Sequence, residues 1–307
     1  MERKKVLLLK KVWLDTDIGS DIDDALCLTY LLCEKDCDLL GISTVSGESK
    51  KRAELSSAIL RHAGREVPVY SGTNEPLVIP TVQKEAPQYK KIDAFPHRTD
   101  FKENTAVLAM RDAIYAHPHE ITLLTIGPLT NVALLFAMDP KIPSLLKEMV
   151  LMGGHFVDPI DGIFRQEWNI FCDPHAAHIV ANAAVARMVW IGLDVTTKVV
   201  FDQKEAVKKL NSPVLEPTMA FSSEWFSYCG EMTFHDPLAA AVMFDENLCT
   251  FVRGNVEVVY QEGPTCGRTL FTPDEKGRHL IADGVKPDLF FERYLRVTGC
   301  HTGGQEA

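Results

Sequence analysis

Short, continuously apolar runs alternate with segments of helical periodicity through the first two thirds of the chain. Segment 23–32 shows the helical pattern, with Ala25, Leu26 and Leu28 among its apolar positions. The pattern predicts strands at residues 12–14, 39–45, 68–70, 121–126, 149–152 and 188–193, and helices at residues 23–32, 53–62, 103–115, 130–137 and 174–183. Because the strand runs are apolar throughout rather than alternating, they are typical of a parallel sheet that helices cover on both faces.

Two regions break this alternation. Residues 76–100 are rich in proline, lysine and polar residues and show no period, which predicts a long mobile loop. From about Asn255 onward, apolar Val256 and Val258 followed by segment 267–271 predict a β-hairpin, and a last helix is expected at residues 287–297. The pattern as a whole favours the α/β class.

Composition and charge narrow the classes of partner. The 307 residues are 46% hydrophobic, which is ample for a large core, and the formal net charge is -10 with an isoelectric point near 5.5. Nucleic acids and anionic membranes bind clustered basic side chains, so we expect neither as the main partner. No run reaches the roughly 18 apolar residues of a transmembrane helix, so we expect no membrane span.

The cysteines bear on the cellular compartment. Eight are scattered along the chain without a CxxC pair. The apolar run 6–9 is too short for a secretory signal, and no small-residue cleavage site follows it. We therefore expect reduced thiols and a cytoplasmic protein.

The strongest chemical signal is a run of five aspartates within residues 15–24, between the first predicted strand and the first predicted helix. Open α/β sheets bind ligands at this edge. Helix capping and the helix dipole favour one or two aspartates there. Five packed carboxylates repel one another unless a cation neutralises them, and oxygen donors without thiolates favour Ca²⁺ or Mg²⁺ over zinc.

Three other motifs fit this segment less well. An EF-hand loop needs glycine at its sixth position and glutamate at its twelfth, and no frame provides both. The haloacid dehalogenase phosphatases also carry Asp-x-Asp after a first strand, but they need threonine or valine where Gly19 stands. The sequence contains no Walker phosphate loop.

Residues 15–26 resemble the signature of the nucleoside hydrolases, the inosine-uridine-preferring type and its relatives. Further blocks match in family order over about residues 12–245, and they are Gly41–Gly47, Ile126–Asn131, Leu151–Gly154, Glu167–Pro174 and His235–Pro237. The resemblance implies the nucleoside hydrolase fold, as a single α/β domain over residues 1–307 with a mainly parallel, Rossmann-like central sheet flanked by helices.

The resemblance also implies a metal site and two catalytic residues. Its Ca²⁺ ligands would be Asp17, Asp24, Asp236 and the backbone carbonyl of Ile126. Asp17 would also take a proton from the attacking water, which the ion makes more acidic. His235 would face the leaving base, where a histidine that titrates near neutrality can donate a proton.

Substrate contacts are implied in the same way. Cleavage of an N-glycosidic bond builds positive charge on the ribose, and carboxylates around the sugar stabilise that charge. The implied ribose contacts are Asp23, Glu48, Met152, Glu167 and Asn169. The aromatic residues that could stack on the base are Trp168, Phe226 and Tyr228, with Trp225 beside the last two. An amphipathic helix with its aromatic residues in the core accounts for residues 225–228 equally well.

Three departures from the family pattern leave alternatives open. The first motif is two residues longer than the commonest form, so Asp21 could replace Asp23 at the ribose. Glu48 stands where an asparagine usually contacts the ribose, and an ionised carboxylate cannot donate hydrogen bonds. Residues 76–100 lack the family's His-Gly-rich segment, which often helps to select the base.

The function implied is Ca²⁺-dependent hydrolysis of a ribonucleoside to ribose and a free purine or pyrimidine base. The protein would then be an N-glycosidase of nucleoside metabolism and base salvage, and a homodimer or homotetramer would be typical of the family. Two alternatives remain open. One is a ribosyl-ligand binder that keeps the cation site without turnover, and the other is a phosphatase built on Asp15 and Asp17.

Overall fold

The computed structural model describes residues 9–157, 159–160, 162–163 and 165–300. Its centre is a nine-stranded sheet of order β10-β9-β11-β6-β5-β4-β1-β2-β3, and a separate two-stranded sheet pairs β7 with β8. The strands are β1 (Lys10–Thr16), β2 (Cys37–Thr44), β3 (Val69–Ser71), β4 (Ile121–Thr125), β5 (Glu148–Met152), β6 (Met188–Ile191), β7 (Val200–Asp202), β8 (Glu231–Thr233), β9 (Cys249–Val258), β10 (Thr269–Pro273) and β11 (His279–Val285).

The helices cover both faces of the large sheet. They are α1 (Asp23–Cys33), α2 (Ser49–His62), α3 (Ala106–Ala116), α4 (Thr130–Met138), α5 (Ile142–Leu145), α6 (Trp168–Cys172), α7 (Pro174–Ala181), α8 (Leu193–Thr196), α9 (Gln203–Lys209), α10 (Glu216–Trp225), α11 (His235–Val242) and α12 (Pro287–Val297). Short 3₁₀ helices lie at Pro87–Ala94, Pro213–Leu215 and Glu246–Leu248. Among the described residues, no helix is long and apolar enough to cross a membrane.

Strands β1 to β6 pair in parallel, as their continuously apolar runs predict. In β1, Val12 and Leu14 enter one hydrophobic core while Trp13 enters a second. Alternate residues of a strand point to opposite faces, so both faces of this sheet are buried. The predicted mainly parallel α/β fold is confirmed.

The C-terminal strands differ in part from the sequence prediction. The predicted hairpin forms, with Val258 opposite Thr269 in antiparallel register. The sequence pattern did not predict β11, which lies parallel to β6 on one side and antiparallel to β9 on the other. Its apolar run is only Leu280–Ala282, which is too short for periodicity to reveal.

The region between residues 193 and 248 also contains elements that periodicity did not reveal. They are mostly short, from the three residues of β7 to the ten of α10. Their placement depends on tertiary packing, since α11 lies against α1. That packing brings the start of α11 next to the aspartate run of residues 15–24.

Residues 76–100 form the predicted long loop over most of their length, but Pro87–Ala94 within it folds into a 3₁₀ helix that the sequence pattern did not indicate. The side chains of Gln83, Gln88 and Ile92 are buried. Gln88 explains part of this order, because its amide donates to the backbone carbonyls of Ser20 (3.2 Å) and Asp21 (2.6 Å). The segment therefore covers residues 17–22 between β1 and α1, the aspartate loop. Local composition does not reveal this long-range contact.

Candidate active site

A pocket of about 610 Å³ opens at the carboxyl ends of β1, β4 and β5. This is the edge at which open α/β sheets bind ligands. Most of the residues that sequence analysis selected line it. They are Asp17, Asp23, Asp24, Ile126, Met152, Glu167, Trp168, Asn169, Tyr228, His235 and Asp236.

Three buried carboxylates meet at the base of this pocket. Asp23, Asp24 and Asp236 each place one oxygen within 4.8 Å of the others'. Asp23 and Asp24 open helix α1, and Asp236 lies in the first turn of α11. The amide of Asp236 donates to Asp23 Oδ2 at 3.3 Å, and the hydroxyl of Thr16 donates to Asp24 Oδ1. The packing of α11 on α1 thus assembles a cluster from residues more than 200 positions apart.

The electrostatics of this cluster favour a bound cation. Burial and mutual repulsion raise the pKa of Asp23, Asp24 and Asp236 well above the usual range. The ion pairs that the structure describes for lysines and arginines all involve other acids. A divalent ion would relieve the repulsion, and an all-oxygen donor set fits Ca²⁺ or Mg²⁺. The residues present therefore fit a hard divalent cation.

Asp17 lies beside the cluster with a different set of partners. Its Oδ2 accepts a hydrogen bond from the Gln83 amide at 2.5 Å. A Cβ at position 127 would stand 2.7 Å from Asp17 Oδ1, so only glycine fits there. Burial raises the pKa of Asp17, while the charge of Arg52 and the Gln83 hydrogen bond oppose that rise. The oxygens that lie within 4.8 Å of one another belong to Asp23, Asp24 and Asp236, and Asp17 is not part of this cluster.

Arg52 is a permanent cation whose charge acts on Asp17 and Asp24, and it is fully buried on α2. Its guanidinium donates to the carbonyls of Asp17 and Ile18 and to the Ser20 hydroxyl, all in the aspartate loop. It also donates to backbone carbonyls in turn 46–47 and at Glu85. One side chain therefore holds together the aspartate loop, turn 46–47 and the segment at Glu85, and the first and last of these line the pocket. Sequence analysis missed this role, because nothing local marks Arg52 as buried.

The segment that follows β5 supplies the opposite wall. Glu167 accepts hydrogen bonds from the amides of Asn169 (2.8 Å), Ile170 (3.1 Å) and Gly154 (3.2 Å), and so caps α6. Burial raises the pKa of Glu167 to about 7. The Asn169 amide donates to the carbonyls of Ile126 (3.0 Å) and Met152 (3.3 Å). The Ile126 carbonyl thus faces the site, and a second lone pair stays available to a ligand.

His235 lines the pocket beside Asp236. Its Nδ1 lies 2.7 Å from the Thr196 hydroxyl, and Nε2 has no partner among the described residues. Burial lowers the pKa of His235 to about 4, so the ring is neutral near pH 7. If the hydroxyl donates to Nδ1, the proton of the ring stands on Nε2 and can be donated to a ligand.

Two of the predicted substrate contacts lie elsewhere. Glu48 is outside the pocket lining, pairs with Lys51 and accepts a hydrogen bond from the Ala86 amide at 3.0 Å. Its backbone lies in the left-handed region (φ 52°). Phe226 packs against the hydrophobic core, and its neighbour Trp225 lines the pocket instead.

Comparisons with known proteins agree with this architecture. The sequence profile of the inosine-uridine preferring nucleoside hydrolases matches residues 12–292. A probable uridine nucleosidase 2 from Oryza sativa is 31% identical over 82% of this chain and 79% of its own length. The inosine-uridine preferring nucleoside hydrolase of Crithidia fasciculata is 29% identical over 85% and 87%. A purine-preferring ribonucleoside hydrolase structure from Gardnerella vaginalis superimposes with a TM-score of 0.80 at 27% identity, covering 94% and 98%.

The fold and the pocket of buried carboxylates define an α/β protein whose site suits a divalent cation. The chain belongs to the inosine-uridine preferring nucleoside hydrolase family. Members of this family are N-glycosidases that act on ribonucleosides, and the chain shares that enzyme class.

Proposed function

We propose that this chain hydrolyses the N-glycosidic bond of ribonucleosides with Ca²⁺ bound at the pocket base. The single observation that supports this most strongly is the convergence of the buried Asp23, Asp24 and Asp236 carboxylates beside Asp17. A water-activating base, a cation site and sugar-binding groups then occupy one pocket of about 610 Å³.

In this proposal Asp24, Asp236, Asp17 and the Ile126 carbonyl hold the ion. When bound, the ion supplies positive charge that makes a neighbouring water molecule more acidic. Asp17 accepts the proton of that water. Its buried position and the hydrogen bond from Gln83 fix the carboxylate for this role.

Asp23, Glu167, Asn169 and Met152 are proposed to surround the ribose. Asp23 and Glu167 are buried, so their charge acts through a low-dielectric medium on the cation that develops at the sugar. Asn169 is fixed by its bonds to two backbone carbonyls, which leaves its amide oxygen to accept from a ribose hydroxyl. Glu48 is not among the residues that line the pocket, so we propose no ribose contact for it.

His235 is proposed to face the leaving base and to hydrogen-bond it as a neutral donor. Trp168, Trp225 and Tyr228 line the same part of the pocket and could stack on the base. The names of the relatives include both uridine and purine ribonucleoside enzymes, so we propose no preference between the two base classes.

A ribosyl-ligand binder with weak turnover is the second candidate. The observation in its favour is the position of Glu48, whose absence from the pocket removes one expected ribose contact. The experiment that separates the two is a panel of purine and pyrimidine ribonucleosides with ribose release as the readout. Catalytic release from any nucleoside, lost in Asp24→Asn, supports the hydrolase. Saturable nucleoside binding without ribose release supports the binder.

Assembly and compartment extend the proposal. We propose that the protein is a homodimer or homotetramer. We also propose a cytoplasmic location, which agrees with eight cysteines that are all unpaired. Sedimentation at equilibrium would measure the oligomeric state directly.

A further inference from the structure

Gln83 connects two parts of the pocket that are far apart in sequence. Its side chain is only 6% exposed, although it belongs to the proline-rich segment 76–100. The Gln83 amide nitrogen donates to Asp17 Oδ2, and the Gln83 amide oxygen accepts from the indole nitrogen of Trp168. Asp17, Gln83 and Trp168 form a chain of two hydrogen bonds, named here the amide relay.

The chemistry of the partners fixes the direction of this relay. An indole N–H can only donate, so the amide oxygen of Gln83 must face Trp168. The amide nitrogen is then directed to Asp17, whose ionised carboxylate can only accept. The order of donors and acceptors therefore holds the Asp17 side chain in one orientation.

The backbone brings Gln83 to this position through a close approach. Gly47 lies against the segment that carries Gln83, and a Cβ at position 47 would stand 2.2 Å from the Gln83 carbonyl. Arg52 holds the next part of the segment through the Glu85 carbonyl at 3.0 Å. Gln83 is thus fixed on both sides rather than placed at a freely moving loop tip.

We propose that Gln83 is a positioning residue for the proposed reaction, acting on the base Asp17 with its own orientation set by Trp168. This inference rests on the proposed function of Asp17. It assigns Trp168 two roles. The indole nitrogen orients the relay, and the ring, which is 51% exposed, lines the part of the pocket proposed for the nucleobase. Because Trp168 lies between Glu167 and Asn169, the relay links the segment proposed to bind ribose to the catalytic base Asp17.

Three variants test the relay in the full-length enzyme. Gln83→Met keeps length and removes both hydrogen bonds, Gln83→Glu keeps shape and removes the donor, and Trp168→Phe removes the indole N–H. Gln83→Met should lower kcat about 10- to 100-fold, the range expected for a hydrogen bond to a charged group, with little change in KM. Gln83→Glu should lose at least as much, because it places a like charge against Asp17.

The coupling between the two residues is the sharper test. Trp168→Phe should lower kcat by itself but have almost no further effect in the Gln83→Met background. Val82→Ala is the matched control, since Val82 is exposed and adjacent to Gln83 in the same segment. It should leave kcat unchanged. Normal kcat in Gln83→Met, or kcat losses that multiply in the double variant, would overturn the inference.

An independent readout keeps this test separate from the proposed function. The chain has four tryptophans, so the indole region of an NMR spectrum of ¹⁵N-tryptophan-labelled protein is simple to assign. The resonance that disappears in Trp168→Phe should shift in Gln83→Met and stay in place in Val82→Ala. An unmoved resonance overturns the relay, whatever the activity. Wild-type enzyme that releases no ribose from any nucleoside contradicts the proposed function instead, and the Trp168 resonance still decides whether the relay exists.

Discussion

Carboxylates held close together against their mutual repulsion are the main feature of the site at the scale of single residues. Asp17, Asp23, Asp24 and Asp236 are all at most 5% exposed, and burial raises the pKa of each. A buried group with a perturbed pKa in a cleft marks a functional site more often than a structural one. Two predictions concern individual side chains here.

Asp17→Asn should lower kcat by several orders of magnitude, because it removes the base but keeps the shape of the side chain. The asparagine can still accept from Gln83 through its amide oxygen, so the fold should persist. Ribose release from the best nucleoside measures the effect, and circular dichroism verifies the fold. Near-normal turnover would assign the base to another residue, with Asp21 next in line.

His235→Ala should damage natural nucleosides far more than p-nitrophenyl riboside. A purine or pyrimidine departs poorly as an anion, whereas the nitrophenolate needs little help. The comparison of kcat/KM for the two substrates measures this difference. Equal losses on both would show that His235 positions Asp236 or helix α11 and does not serve the base.

At the scale of elements, the site depends on segments that one buried side chain ties together. The aspartate loop, turn 46–47 and the Glu85 carbonyl all accept hydrogen bonds from Arg52. The Ser20 hydroxyl in the aspartate loop is also an acceptor. Arg52 thus holds the aspartate loop against the two segments that pack beside it.

Arg52→Met should lower the free energy of unfolding by about 3 kcal/mol or more, because several buried carbonyls lose their donor at once. Arg61→Met on the exposed side of the same helix is the control and should change stability by less than about 0.5 kcal/mol. Urea denaturation of both variants measures the difference. Equal stabilities would show that water replaces the guanidinium without cost.

Local sequence predicts some elements of this fold and cannot predict others. Helix α12 matches its predicted range, and the parallel strands follow from their apolar runs. Helix α8 has only four residues and the apolar run of β11 is only Leu280–Ala282, so both hold their place through long-range packing, which no local pattern encodes. The same limit applies to the site. The run of residues 15–24 predicts the acids, but the buried Gln83 contact depends on how segment 76–100 folds over them.

At the scale of the whole molecule, acidic charge shapes stability. The chain has a formal net charge of -10, and several of its acids are buried. Burial raises the pKa of Asp15, Asp21 and Glu167 to about 7, and that of Asp23, Asp24 and Asp236 well above its usual range. These groups bind more protons in the folded than in the unfolded chain above pH 4.

In the presence of a chelator, the thermal midpoint should therefore fall as the pH rises from about 6.5 to about 8. The buried His235 and His279, whose pKa values are lowered to about 4, act in the opposite direction only below about pH 6.5. Added Ca²⁺ binds the folded state alone and should reverse much of the fall. Scanning calorimetry with and without Ca²⁺ measures this. A thermal midpoint that rises with pH in the presence of the chelator would contradict the raised pKa values of these buried acids.

We propose that one cation at the buried carboxylates enables ribonucleoside hydrolysis. Ribose release by chelator-treated enzyme during titration with Ca²⁺, on the best substrate of the nucleoside panel, tests this directly. We expect almost no release before titration and full recovery at one ion per chain, with Asp236→Asn failing to recover. Full ribose release by metal-free enzyme, unchanged on adding Ca²⁺, would contradict it.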